Sequence, residues 1–405
     1  MVDPVREARE PMAETIGDRL RRIRRDAGLT QEQLAESAGV SRDLIAMLEQ
    51  NRRKSARITT LVKLANALDI EMSELLDKRP RLEGGMDSSA LAIRDVLLSP
   101  AHLPGFDPGD SGVPTPLPEL NRAVAAGWRH YWGGKFRELA AALPGLIGET
   151  RHAFHHFGPR ASAALAQSYQ LAACLLTQMG KDELAALSAE RAIGAAAGGD
   201  DELQWATLHG TYSWIMLHQA RLRDAEAHAL RIAEQIEPSI SKATPQHLTV
   251  WGGLMLTAMA PAAAAGRGAA AREHISISQA AAARLDRDRL DYNVNFGPTQ
   301  VAMQSTHANA TLGEPGRALK AAQGVRRDDL QLISYGAHLI DVAQAQTDAR
   351  RHRDAVATLV QAQQISPIWF RHQGLARSVV TELVNAKRQL SPALRGLARE
   401  LRVAS

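Results

Sequence analysis

The chain has 405 residues, of which 45% are hydrophobic but only 4% aromatic, and its formal net charge is +4. This length predicts two or three domains, and a general polybasic arm is excluded because residues 1–80 hold 15 Lys and Arg against 14 Asp and Glu. The single cysteine, Cys174, excludes an intramolecular disulfide and a thiolate cluster for structural zinc. Helix-forming residues recur throughout and strand-forming clusters of period two are almost absent, which predicts an all-α fold.

The N-terminal residues 1–16 mix acids, arginines and two prolines, unlike the apolar core of a signal peptide. We expect a flexible arm there. The longest weakly polar run, 252–266, is about 15 residues long and contains Pro261, which is too short to span a bilayer. A cytoplasmic protein with no membrane partner is therefore expected.

Thr30 and Gln33 have the spacing of a capping box, in which each side chain accepts a hydrogen bond from the other residue's backbone N–H. A helix is therefore predicted to begin after Thr30. The apolar stripe of this helix has helical spacing and consists of Leu34, Ala35 and Ala38. Gly39 then permits a tight reversal, and Ser41 can cap a further helix over about 41–50.

The helix after Ser41 has an apolar side and an outward side. The apolar side consists of Leu44, Ile45 and Leu48. The outward side would meet the major groove of DNA and consists of Arg42, Asp43, Ala46, Met47 and Gln50. Asn51 suits a left-handed C-terminal position, and a phosphate backbone would pass Arg52, Arg53 and Lys54.

The stretch LTQEQLAESAGVSRDLIAMLEQNRR, followed by TLVKLANALDI, resembles the five-helix DNA-binding domain of the Cro/phage-repressor (XRE-type) regulators. The resemblance implies that Gln31 opens its helix against the DNA backbone. It also implies base-edge contacts by Ser41, Arg42, Asp43 and Met47. Asn51 stands where family members often have Gly, a mild departure because Asn tolerates left-handed backbone. We therefore expect a helix-turn-helix domain over 17–78.

Two alternatives stay open for this region. The stretch 30–53 could be an ordinary helical hairpin with solvated arginines, although its signature is complete. The five arginines of RLRRIRR, 19–25, could face water on an amphipathic first helix or contact phosphate.

Residues 79–118 are rich in Pro, Gly and Asp around a short apolar helix at about 89–98, which indicates a linker with a docking helix. From 119 to 405 a tetratricopeptide-like spacing recurs. This spacing places a small residue within the first helix of a repeat, a Gly or other small residue seven positions later at the turn, and an Ala or Leu five positions after the turn. Six triplets follow this spacing, two of them with a larger member, and their turn positions are Gly134, Gly180, Ala220, Gly266, Gly313 and Arg350. We expect an α-solenoid of about six degenerate repeats, with capping helices at about 375–403.

In such a solenoid the first helices of the repeats build the concave wall, on which a ligand would bind. Positions at helical spacing on that wall are Asn121, Trp128, Tyr131, Gln167, Gln170, Thr177, Thr207, Trp214, Gln300, Met303 and His307. DYNVNFGPTQ, 291–300, adds Asn293 and Asn295 as a pocket edge. Amides suit a peptide backbone and aromatic rings give contact area. Taken singly, each of these residues is more commonly core or solvated surface.

The head followed by repeats resembles the architecture of the peptide-responsive quorum-sensing (RRNPP-type) regulators, and more closely a group of actinobacterial regulators with XRE heads. That resemblance implies a homodimer on double-stranded DNA with a palindromic operator, and an oligopeptide or small-molecule effector on the concave face. The alternative is a DNA-tethered scaffold whose repeats dock a protein partner.

Sequence motifs of common enzymes are missing: there is no nucleophile elbow, Walker loop, dinucleotide glycine triplet or His-Glu-x-x-His pair. We expect no enzyme, no cofactor and no metal. His152, His155 and His156 could share one side of a helix, yet no Cys or paired acid adjoins them, so a solvated helix end is favoured over zinc.

Overall fold

The computed structural model describes residues 15–52, 56, 58–68, 70, 75, 86–100, 112–239, 242–386 and 389–403. The chain divides into two compact units, Met1–Lys78 and Arg79–Ser405, called here the head and the body. The described residues have the predicted all-α fold class apart from one short β-hairpin, with a helix-turn-helix head followed by a tetratricopeptide-like body. In the described part of the chain, no helix combines the length and apolarity that crossing a bilayer requires.

Four helices of the head have described bounds: Ile16–Asp26 (α1), Gln31–Ala38 (α2), Arg42–Glu49 (α3) and Ile58–Ala67 (α4). The expected fifth helix lies largely outside the described residues. The caps before α1 and α2 are both capping boxes, formed by Thr15 with Asp18 and by Thr30 with Gln33. The head's core contains apolar side chains that are fully or almost fully buried, among them Leu20, Leu34, Ile45, Leu48, Leu61 and Leu64. Its helices are thus held by one small shared core.

The first described helix of the body is Met86–Leu97 (α5), which corresponds to the expected docking helix and packs within the body. Six helix pairs follow: Leu117–Trp132 (α6) with Phe136–Phe157 (α7), Ser162–Gln178 (α8) with Asp182–Ala196 (α9), Glu202–His218 (α10) with Leu222–Gln235 (α11), Pro245–Ala264 (α12) with Gly268–Ala282 (α13), Pro298–Thr311 (α14) with Pro315–Ala322 (α15), and Leu332–Asp348 (α16) with His352–Ile365 (α17). The last three helices are Pro367–Arg371 (α18), Gly374–Asn385 (α19) and Pro392–Glu400 (α20).

A left-handed residue connects the two helices of every pair. These residues are Gly134, Gly180, Ala220, Gly266, Gly313 and Arg350, with φ between 60° and 74°. Each is the turn position of one of the six triplets. Four are glycine, for which this conformation costs little, whereas Ala220 and Arg350 adopt it at about 1–2 kcal/mol each. The sequence spacing therefore coincides with the backbone reversal that defines each pair.

The sequence pattern predicted only helices, but the body also contains a β-hairpin. Strand Arg289–Asp291 (β1) pairs antiparallel with Val294–Phe296 (β2), and both turn residues, Tyr292 and Asn293, have positive φ. Two positive-φ residues in a two-residue loop make the turn whose twist suits a hairpin. Phe296 packs against Gly252 and Val294 against Gly253, where any Cβ would collide with these side chains. Consecutive glycines on α12 thus make room for the hairpin.

The body closes on itself. Each first helix contacts the next along the chain, and α16, the last of them, also contacts α6, the first. At this seam Ser366 Oγ donates a hydrogen bond to the Gly134 carbonyl at 3.2 Å, and Gln373 Nε2 donates to Gln178 Oε1 at 3.3 Å. One apolar core includes side chains of both the first two and the last repeats. The first helices therefore surround a common interior.

Candidate DNA interface and candidate ligand cavity

Helix α3 is held so that one side is buried and the other is open. Gly39 ends α2 in the left-handed conformation, and Ser41 Oγ accepts a hydrogen bond from the Leu44 N–H at 3.3 Å. Ile45 and Leu48 are completely buried. Asn51 takes φ 56° just after α3, the left-handed position expected for it. The reversal and the two caps fix which side of α3 reaches solvent.

The residues predicted to contact DNA mostly lie on the open side of α2 and α3 or just after α3. Those that are exposed are Ser41, Arg42, Asp43, Met47, Gln50 and Arg52. Ala46 and Gln31 are half-buried. Arg53 and Lys54 lie outside the described residues.

Arg42 already has a partner within the head. Its Nε lies 2.6 Å from Glu32 Oε1, and both side chains are about 60% exposed. An ion pair so accessible to water contributes little, of order 0–1 kcal/mol. The guanidinium can therefore exchange this carboxylate for a base edge or a phosphate at low cost.

A buried ion pair that the sequence interpretation missed joins α1 to α3. Arg24 donates two hydrogen bonds to the Glu49 carboxylate, at 2.6 and 2.9 Å, and the Gln31 amide donates a third at 2.8 Å. Burial raises the pKa of Glu49, but the hydrogen bonds from Arg24 and Gln31 outweigh it, so that this pKa lies below its ordinary value. Arg24 is therefore neither exposed to water nor available for a phosphate contact.

The spacing of apolar residues carried a signal for this pair. Arg24 follows Leu20 and Ile23 at helical spacing, and Glu49 follows Ile45 and Leu48 in the same way. Each charge therefore stands on the buried stripe of its helix, and opposite charges on two buried stripes indicate a pair. Gln31 orients the same carboxylate, so its amide is engaged within the head.

The interior of the body contains a cavity of about 320 Å³. All six first helices contribute to its wall, as do the hairpin and the segment after the last pair. The wall residues share one face of each helix: on α6, Tyr131 and Trp132 lie three and four residues after Trp128, and on α8, Gln170, Cys174 and Gln178 recur every four residues. One stripe of every first helix therefore faces this space.

Eight of the thirteen residues predicted for the ligand site line the cavity: Trp128, Tyr131, Gln170, Thr207, Trp214, Asn293, Gln300 and Met303. Thr177 is instead buried outside the lining, with its hydroxyl donating to the Ala173 carbonyl. Asn121 is exposed and Gln167 is half-buried outside the cavity lining. Asn295 is not part of the lining, and its amide lies 3.5 Å from Gln300 Oε1. His307 lies one turn beyond Met303 and pairs with Asp341 at 3.0 Å, which raises its pKa.

Other wall residues were missed by the sequence interpretation. Trp132, Gln178, Thr211 and Gln304 lie on the same stripes as their predicted neighbours, whereas Leu254 and Ser334 lie on α12 and α16, for which no wall residue was predicted. Periodicity could have found them once the register was known. Trp369 and Gln373 have no such signal, because they reach the cavity only through closure of the body.

Aromatic rings from α6 cluster at one side of the cavity. The Trp128 and Trp132 rings stack with centroids 6.4 Å apart, and Tyr131 meets both edge-on. Burial raises the pKa of the Tyr131 hydroxyl and raises that of the Cys174 thiol to about 12. Both groups are therefore neutral, and Cys174 acts as a small apolar residue rather than a nucleophile.

Two histidines couple the stability of the body to pH. His209 Nδ1 lies 3.0 Å from His228 Nε2, and burial together with the His228 charge lowers the pKa of His209 to about 4. Below pH 6.5 the unfolded chain binds a proton that folded His209 does not, so stability falls as pH falls, by at most about 1.4 kcal/mol per unit. We expect the thermal midpoint measured by tryptophan fluorescence to drop from pH 7 to 5.

In the His209→Gln variant that drop should be smaller. The exposed His155→Gln variant, a matched substitution, should keep the wild-type pH dependence. Equal pH slopes for the wild type and His209→Gln would contradict this assignment.

The histidines considered for zinc give no support to a metal site. His155 and His156 are exposed, and His152 Nε2 lies 3.0 Å from the Gly112 carbonyl. Among the residues with described positions, no three His, Cys, Asp or Glu side chains converge on one point.

Comparison with known proteins is informative for the head. The helix-turn-helix family HTH_3 matches residues 20–75. The HTH-type transcriptional regulator SinR of Bacillus subtilis is 32% identical over 87 residues, which is 21% of this chain and 78% of SinR. The immunity repressor protein of Bacillus phage phi105 is 40% identical over 62 residues, 15% of this chain and 42% of the repressor.

Among solved structures, Bacillus thuringiensis PlcR in complex with the peptide PapR7 and DNA is similar at a TM-score of 0.36 and 11% identity. The match covers 87% of this chain and 99% of that one. The capped reversal between α2 and α3, the family match and the relation to SinR lead to one conclusion. The chain belongs to the XRE-type helix-turn-helix family of DNA-binding transcriptional regulators.

Proposed function

We propose that this protein is a dimeric, sequence-specific transcriptional regulator whose body senses a ligand in the cavity lined by its first helices. The single observation that supports sensing is that cavity, whose wall combines aromatic rings with amide and hydroxyl groups. Pockets of that composition and size are typical of small-molecule sites. A ligand there would contact all six repeats at once, and so could change how two bodies hold their heads.

On the DNA side, we propose that α3 lies in the major groove. Its exposed side chains Arg42, Asp43, Met47 and Gln50 would read base edges, and Ser41 and Arg52 would contact the backbone. Arg53 and Lys54, by their place in the sequence, would add phosphate contacts. Two heads of a dimer need half-sites about 10 base pairs apart, or a multiple of this.

The DNA interface is tested by gel shift on the region upstream of the protein's own gene. We expect Arg42→Ala to weaken specific binding roughly 5- to 150-fold, the effect of losing one base contact worth about 1–3 kcal/mol. Inserting about 5 base pairs between half-sites should abolish tight binding, because it turns one half-site to the opposite face of the duplex.

A matched control removes the same charge elsewhere. Arg223→Ala, on the exposed side of α11, should bind DNA like the wild type. If Arg42→Ala binds as tightly and as selectively as Arg223→Ala, the groove assignment is wrong.

Ligand sensing predicts that a compound bound in the cavity stabilises the body in proportion to its excess over the dissociation constant. It also predicts that the same compound alters the gel shift. A body that docks a protein partner would respond to neither peptides nor small molecules, and this outcome would replace the sensing proposal with the scaffold alternative.

A further inference from the structure

The wall of the cavity carries no formal charge. Among the described residues that line it, none is Asp, Glu, Lys, Arg or His. The two titratable groups of the wall, Tyr131 and Cys174, are neutral because burial raises the pKa of each. His307, which the sequence pattern predicted on this wall, is not part of the lining and points its ring nitrogen to Asp341 instead. A charged ligand group placed against this wall would therefore lose its hydration without gaining a counter-charge, which costs several kcal/mol.

Some hydrogen-bonding groups of the wall have a partner among the described residues, and others do not. The hydroxyls of Thr207, Thr211 and Thr257 each donate to the main-chain carbonyl four residues earlier in their own helix. By contrast, the indole nitrogens of Trp128 and Trp132 are buried and have no acceptor among the described residues. An indole N–H can only donate. These two donors thus lack an acceptor, and a ligand that supplies an acceptor oxygen would complement them.

The size of the cavity and the shape of its wall further restrict the ligand. A cavity of about 320 Å³ lies near the lower end of the range of about 300–1,000 Å³ for small-molecule sites. Four tryptophans line it, from α6, α10 and α18, namely Trp128, Trp132, Trp214 and Trp369. Rings of this kind favour a flat partner that can stack on them.

We infer that this cavity binds an uncharged, flat organic molecule with at least one carbonyl or ether oxygen, rather than an oligopeptide with charged ends. The inference rests on the proposed sensing function and specifies its ligand class. The oxygen accepts a hydrogen bond from an indole N–H of α6, and the flat ring system stacks between tryptophans of the first and third repeats and of the seam.

The test uses the full-length chain and size-matched probe pairs. Each pair consists of an uncharged lactone or amide and its charged counterpart. The pairs are coumarin with coumarin-3-carboxylate, and N-acetyltryptophanamide with N-acetyltryptophan. Heptapeptides with free ends form a third group. Binding is measured by thermal shift for every probe, and for the coumarin pair also by quenching of tryptophan fluorescence. We expect the uncharged members to bind at least ~10-fold more tightly than their charged counterparts, since only the latter bury an unpaired charge.

Two variants assign binding to the cavity. Gln304→Glu places a carboxylate on the wall without changing its shape, and should weaken binding of the uncharged probes about 10-fold. Gln361→Glu, the same substitution on the exposed side of α17, should leave it unchanged. Trp132→Phe should weaken binding of coumarin more than binding of naphthalene, which has no oxygen, a difference that loss of packing alone does not produce.

The outcomes separate this inference from the proposed function. If charged probes or peptides bind as tightly as uncharged ones, or if no probe binds, the inference is overturned. If peptides bind and also change the gel shift, ligand sensing stands while this ligand class fails. If uncharged probes bind as expected but leave the gel shift unchanged, the ligand class stands while sensing fails.

Discussion

Replacing Arg24 by alanine is expected to unfold the head while the body stays folded. The substitution leaves the Glu49 carboxylate buried, with its side chain only 3% exposed, and without its charged partner. Breaking a buried pair in this way costs about 3–5 kcal/mol. Whole domains are commonly stable by only about 5–15 kcal/mol, so the head would lose most of its stability. The position of α3 depends on this pair, and specific DNA binding should be lost as well.

The distribution of aromatic residues makes this outcome measurable. All six tryptophans lie between residues 128 and 369, and none lies in the head. In Arg24→Ala, circular dichroism should therefore show an early loss of helix, while the transition followed by tryptophan fluorescence keeps its wild-type midpoint. The exposed neighbour Arg25→Ala should change neither signal.

Restoring electrical neutrality should restore the head. The double variant Arg24→Met with Glu49→Leu removes both charges while keeping similar volumes, a replacement that is often neutral or stabilising.

The pH dependence of the head's stability has a defined sign, because hydrogen bonds hold the pKa of Glu49 below its ordinary value of 4.5. The pair stabilises the head above that value, and this contribution is lost as pH falls through the folded pKa. The difference between wild type and Arg24→Ala should therefore shrink in acid; an equal difference at pH 7 and pH 3 would contradict this account.

Replacing Trp369 by alanine is expected to open the seam of the body. Its side chain is 2% exposed and packs on Gly336, where an added Cβ would lie 2.7 Å from the indole ring. Ser366 caps the Trp369 N–H at 3.3 Å and also binds the Gly134 carbonyl, so the ring anchors the contact between the last and first pairs. Truncating a buried tryptophan costs about 3–5 kcal/mol.

Urea unfolding followed by the fluorescence of the remaining tryptophans measures this loss. Trp205→Ala, the same truncation at a half-buried site away from the seam, should cost less. A loss for Trp369→Ala no larger than that for Trp205→Ala would show that the seam contributes nothing particular to stability.

Local sequence signals predicted much of this protein because the forces that define its helices act over a few residues. Thr30 with Gln33 and Ser41 marked the starts of α2 and α3, since caps satisfy N–H groups within one turn. Spacings of seven and five residues located the turns at Gly134 and Gly180, where the backbone must reverse. The same periodicity placed Gln170 and Thr207 on stripes that face the interior.

Other features were decided only by tertiary structure, because they join residues whose separation in the chain has no period. The hairpin at 289–296 depends on the room that Gly252 and Gly253 leave on α12. The pairing of Arg24 with Glu49 depends on how α1 crosses α3. Closure of the body brings Trp369 beside Trp128 in one cavity wall through contacts such as the one between Ser366 and Gly134, 232 residues apart. Side-chain patterns along one helix report which face is buried, but which distant face covers it is settled by packing of the whole unit.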